Sequence, residues 1–166
     1  MSIGELGALG EFVAAIAVLV TLVYLAVQIK QTRLAVSANT HQALNDVSIH
    51  LYTTVATNES LATAFVGAAS REQTLTPTQL LQFRALGMAM IRNAENMHYQ
   101  HTLGLLSDER IRSSAMTLKE YYRASPYFFD LWMSSKESVR GDFRDWMDLF
   151  LNEDDSGGNI VPRFTD

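Results

Sequence analysis

Residues 12–29 read FVAAIAVLVTLVYLAVQI, eighteen positions without a charge, bounded by Glu11 and Lys30. At ~1.5 Å per helical residue they extend about 27 Å, close to the hydrocarbon thickness of a bilayer. Thr21 and Gln28 are polar positions inside the segment, but no polar stripe recurs at helical period. A helix that is apolar on every side has to be covered on every side, and a chain of this size has little core to do that. The pattern predicts a membrane-spanning helix. The Thr21 hydroxyl can bond back to a helix carbonyl, and Gln28 sits near the end where a side chain reaches lipid headgroups. Gly4, Gly7 and Gly10 precede the span at three-residue spacing. They suit an interfacial lead-in, or a surface that another helix can approach closely. A signal peptide fits less well. The first residues hold Glu5 and no Lys or Arg, and the small-residue site Val36-Ser37-Ala38 comes only after Lys30 and Arg33.

Residues 30–57 contain no Gly and no Pro. Leu44, Val47, Leu51 and Val55 recur there at helical spacing, with Leu34 and His41 on nearly the same stripe. The first helix is therefore expected to continue past the apolar stretch and become amphipathic. Leu44, Val47, Leu51 and Val55 form a candidate association face, to be met by the rest of the chain or by a neighbour.

Further helices follow from their start signals. Asn58 caps a short helix reaching about Ala69, and residues 70–76 read as a loop. Thr76-Pro77 opens a long helix expected to reach Leu103 and stop at Gly104. Its stripe is Leu80, Phe83, Gly87, Met90, Ala94, Met97 and His101, a repeat typical of helix-on-helix packing. Ser107 caps the next helix, with Asp108 and Glu109 facing the positive end of its dipole and Ile111, Ala115, Leu118 and Tyr122 as its apolar positions. Ser125-Pro126 starts a short aromatic helix over residues 127–133. A last helix is expected over residues 138–151, with Val139, Phe143, Trp146 and Phe150 on one face and Asp142, Asp145 and Asp148 on a solvated one. The expected fold is all-α: a single N-terminal transmembrane helix continuing into a small helical bundle. Its parts are an anchor over 1–30, a helical soluble domain over 31–151 and an acidic polar tail over 152–166. The tail run from Asn152 to Gly157 lacks the alternation and the closing Glu of a calcium loop.

Charge sets direction. Glu5 and Glu11 precede the span, whereas Lys30 and Arg33 follow it. The excess of basic residues on the cytoplasmic side of a span places the N-terminus outside and the helical domain in the cytoplasm. The formal net charge of −5 argues against a nucleic-acid partner, which calls for a basic face. The absence of cysteine fits a reducing compartment.

One region concentrates polar chemistry. Arg92, Asn93, Glu95, Asn96, His98, Tyr99, Gln100 and His101 fall within three turns of the long helix. Glu95-x-x-His98 is the spacing used in pairs by di-iron carboxylate bundles, but this chain holds one such pair, so a metal site would need a second copy across a dimer axis. The simpler reading is a structural polar network of Arg92, Glu95, Asn96, His98 and Tyr99, in which Arg92 reaches Asn96 and Glu95 reaches Tyr99 four residues on. The sequence carries no cysteine nucleophile, no Gly-x-Ser-x-Gly turn and no Gly-rich phosphate loop. No catalytic residue, cofactor or metal is expected from it.

The runs LVYLAVQIKQTRLAVSANTHQ (22–42) and AENMHYQHTLGLL (94–106) resemble a family of small bacterial membrane proteins. The matching positions are Gln28, Ile29, Lys30 and Gln31, then Glu95, Asn96, Tyr99, Gln100, Gly104 and Leu105. His98 and His101 stand where that family carries aromatics. The resemblance implies a single span in the bacterial inner membrane with an all-helical cytoplasmic domain, and no activity. The function expected is a non-enzymatic, membrane-anchored interaction or scaffold module that self-associates. Alternatives are an accessory subunit of a larger membrane complex and a metal-dependent enzyme with a site shared across a dimer. The expected partners are the lipid bilayer and either further copies of the chain or that larger complex.

Overall fold

The structure is a computed structural model that describes residues 3–69 and 74–153 of the 166. The acidic-tail reading of residues 154–166 and the loop reading of residues 70–73 lie outside them. The described residues are all-α and contain no strand. Two compact units divide the chain, the first ending at Asn39 and the second beginning at Thr40.

The first unit is the leading part of α1, a 54-residue helix over Ile3–Ala56. Nothing in its sequence interrupts it: after Gly10 there is no Gly or Pro before its end. Residues 12–29 are exposed throughout. The Thr21 hydroxyl donates to the Ala17 carbonyl at 2.8 Å, and the Gln28 amide donates to the Tyr24 hydroxyl at 2.7 Å. Each polar side chain thus has one partner within the helix, which lowers the penalty for placing it among lipid. A Cβ built on Gly7 or Gly10 meets nothing within 4 Å.

The second unit is organised around α3 (Pro77–Thr102), which packs against α2 (Glu59–Ala69), α4 (Asp108–Ala124), α5 (Pro126–Ser135) and α6 (Gly141–Asn152). Thr76 and Gln79 form a reciprocal capping box with Pro77 at the first helical position, and Gly104 at φ 69° supplies the left-handed turn beyond the helix end. The buried face of α3 is broader than one heptad stripe. Phe83, Gly87, Ala94 and Met97 are buried as expected, and so are Leu86, Ile91 and His98. A central helix with neighbours on several sides buries more than one stripe. At Gly87 a Cβ would overlap Leu131 Cδ2, so the missing side chain is what lets α5 approach α3 closely.

Ser125 joins two elements: its hydroxyl donates to the Ala68 carbonyl at 2.7 Å and accepts the Phe128 N–H at 3.2 Å. It thus satisfies the end of α2 and the start of α5 together. Lys119, only 3% exposed, donates to the Glu153 carbonyl at 2.9 Å and lies 5.1 Å from the Phe150 ring centroid. Its charge therefore faces the C-terminal end of α6, where the helix dipole is negative.

Two expectations are corrected, and a third is narrowed to one of its two alternatives. The stretch 138–151 is not one helix: a 3₁₀ turn at Lys136–Ser138 and extended backbone at Val139 and Arg140 precede α6. Asp148 does not belong to a solvated face, because it is half-buried and accepts the Trp132 indole N–H at 2.7 Å and the Lys136 ammonium at 3.0 Å. On α1, Leu44 is 3% exposed while Val47 is 44% exposed, so the inward stripe runs Leu44, Ser48, Leu51, Val55. Leu44 is covered by the chain's own second unit and is not available to a neighbour.

Candidate functional site

The polar cluster on α3 holds the turn that leads into α6. Glu95 accepts from the Arg92 guanidinium through one oxygen and from the Arg140 backbone N–H through the other, each at 2.7 Å. Arg92 also donates to the Ser138 carbonyl at 2.9 Å. Side chains from α3 thereby take the backbone groups at Ser138 and Arg140 that a continuous helix would have used, which accounts for the break. Arg140 forks onto Asp142 at 2.8 and 3.1 Å, and its guanidinium carbon lies 4.5 Å from the Tyr99 ring centroid. That bond from Arg140 holds the Asp142 carboxyl below the usual carboxylate range. The expected pairs Arg92–Asn96 and Glu95–Tyr99 are replaced by Arg92–Glu95 and Arg140–Tyr99, and Asn96 instead accepts from Gln100 at 3.4 Å.

His98 sits beside this cluster, in an aromatic pocket. It is 1% exposed, with ring centroids of Trp146 and Phe143 at 5.1 and 5.7 Å. Burial lowers its pKa below 6.5, with nearby Asp142 acting the other way and His101 and Arg140 adding to the lowering. His98 is therefore neutral in the fold at pH 7. As pH falls below about 6.5 the unfolded chain takes up a proton there before the folded chain does. The stability due to neutral His98 is complete above that pH, declines between the unfolded and folded pKa values, and is flat below. Urea unfolding between pH 7.5 and 5 is expected to show this decline, and His98→Leu to remove that part of it.

Glu95 and His98 thus serve different surroundings, the carboxylate a helix entry and the imidazole an aromatic pocket. Among the described residues no group of three or more His, Cys, Asp or Glu is placed to hold a metal ion. Glu95→Gln keeps an acceptor for the Arg140 N–H, and exposed Arg92 can turn to solvent, so the loss should stay within about 1 kcal/mol. Glu95→Leu leaves the Arg140 N–H without its acceptor and is expected to lower stability by about 1–3 kcal/mol in thermal unfolding.

A concave feature of the second unit, among the described residues, is a groove of about 550 Å³ between the end of α1 and helices α2, α3 and α4. Its size falls within the ~300–1,000 Å³ usual for small-molecule sites. Leu51 and Val55 wall it from α1, Phe65 from α2, and Leu86, Met90 and Met97 from α3. From α4 come Arg110, Ser113, Ser114, Thr117 and Tyr121, which recur at helical spacing beside the buried Ile111, Ala115 and Leu118. That second stripe, with Ser113, Ser114 and Thr117 small and hydroxyl-bearing between Arg110 and Tyr121, is the signal of the groove in the sequence. Two of the expected association residues, Leu51 and Val55, are half-buried in this wall. Burial, then nearby Tyr52 and Glu120, push the Tyr121 phenol up, so it stays neutral. The eighteen lining residues include no Asp or Glu and one formal charge, Arg110. Arg110 donates to the Asn45 amide oxygen, a neutral partner, and forms no ion pair with a carboxylate among the described residues. Comparison with known proteins finds no matching family model, no similar curated protein and no similar solved structure.

Proposed function

We propose that this chain is a membrane-anchored, non-enzymatic interaction module of a bacterial inner membrane, with residues 12–29 across the bilayer. The observation that carries the reading is the stretch of α1 whose most apolar window has a mean hydropathy of 2.5 and is 0% buried. In water such a surface would drive aggregation, and in lipid it is solvated. Lys30 and Arg33 follow the span directly, which favours a cytoplasmic second unit. Self-association would use what α1 leaves uncovered. Leu44 lies in the chain's own core, so what α1 leaves for a neighbour is Gly7 and Gly10 with open space around them, and Val47, which is 44% exposed and lies outside the groove lining.

The protein is expected to stay in the membrane pellet through a carbonate wash, and a reporter fused at Asp166 should read cytoplasm. Release into the supernatant would sink the anchor, and an external reporter would reverse the orientation. Light scattering of the detergent-solubilised particle, corrected for bound detergent, should give more than one copy. A monomer would remove self-association from the proposal.

A further inference from the structure

We propose that the groove between α1, α3 and α4 binds a single-chain anionic amphiphile, a fatty carboxylate, with its head at Arg110 and its chain along the apolar wall. Charge points to the head. Arg110 is the one charged side chain in the lining, no acid faces it there, and its partner is the neutral amide oxygen of Asn45. A guanidinium keeps several donors after making one such bond, in the fork geometry that matches a carboxylate. Because Asn45 accepts through its oxygen, its amide NH₂ remains a second donor at the same rim.

The wall points to the chain. Leu51, Val55, Leu86, Met90 and Met97 present aliphatic and thioether surface, and methionine adapts to an irregular flexible occupant. Size separates this occupant from a helix. A docking helix with its side chains is ~10–12 Å across and lays a long face into its groove. A volume of about 550 Å³ lies in the ~300–1,000 Å³ range of small-molecule sites, which one acyl chain fits. The groove would take such a ligand whether or not residues 12–29 are in a bilayer, so it stands or falls separately from the anchor.

The full chain in phosphatidylcholine nanodiscs, incubated with a palmitate analogue carrying a diazirine in its chain, tests this. Illumination should label peptides of α3 and α4 that contain Met90, Met97 or Leu118. Unlabelled palmitate should compete, and hexadecanol should not. Arg110→Gln should reduce labelling roughly tenfold, the loss expected for one charge-assisted contact, and Arg110→Lys, which keeps the charge but not the fork, should restore only part of it. Ser114→Trp, which fills the groove and leaves Arg110 in place, should abolish labelling. Thermal unfolding accompanies each variant; should Arg110→Gln fail to fold, the palmitate-against-hexadecanol comparison on the parent decides the same point. Labelling confined to residues 12–29 overturns the proposal, as does equal competition by the alcohol. So does undiminished labelling of a folded Arg110→Gln.

Discussion

Trp132→Ala is expected to lower the stability of the second unit by about 3–5 kcal/mol, the range for removing a large buried aromatic. Trp132 is 1% exposed and stands edge-on to Phe143, with ring centroids 6.1 Å apart. The substitution also removes the indole N–H that Asp148 accepts at 2.7 Å, leaving that carboxylate to Lys136 and water. Trp132→Phe separates the two contributions. It keeps most of the ring and loses the donor, so a smaller loss is expected, on the order of 1–2 kcal/mol. Chemical denaturation followed by circular dichroism measures both. A loss under about 1 kcal/mol for the alanine variant would show that the α5–α6 contact is not part of the cooperative core.

The second large effect concerns the span. Under the membrane reading, the double substitution Leu19→Asp with Val20→Asp should release the protein from the membrane. An acidic residue near the centre of a span costs roughly 2.5–3.5 kcal/mol on the insertion scale, against about 0.3–0.6 gained from each Leu, Ile, Val or Phe. Eleven such apolar residues lie within 12–29. Two acids at the middle therefore offset the gain of the whole segment. A single substitution should leave partial insertion. Carbonate extraction of the parent, the single and the double variants gives the series, and a double variant that stays fully embedded would refute the span. The second unit should unfold as in the parent, because residues 19 and 20 belong to the first unit and Leu19 and Val20 are 62% exposed.

Several elements were legible because their causes are local. Thr76-Pro77, Ser107 and Ser125-Pro126 start helices where expected, since a cap and its first turn involve residues three apart. Gly104 ends α3 for a similar reason, a left-handed backbone that glycine adopts without strain. The face of a helix is less legible than its existence. On α1 the apolar positions Val47 and Leu51 are both compatible with a stripe, and the partners of the second unit selected Leu44, Ser48, Leu51 and Val55. On α3 a heptad reading found one seam and passed over Ile91 and His98, because it presumed a neighbour on one side alone.

The chain alone determined that the protein is all-α, that one long apolar helix leads it, and where most of the helices begin. Those properties follow from period, caps and breakers within a few residues of each other. Tertiary structure decided which polar residues carry structure. Glu95 binds the backbone of Arg140, 45 positions away, and so ends helical backbone in a stretch whose own pattern favoured it. Asp148 looks like surface until Trp132 and Lys136 are set beside it. Arg110 is an ordinary first-turn arginine until α1 brings Asn45 and an apolar wall against it. In each case the deciding group is distant in sequence, and a hydrogen bond or an uncompensated charge has meaning only once its partner's position is known.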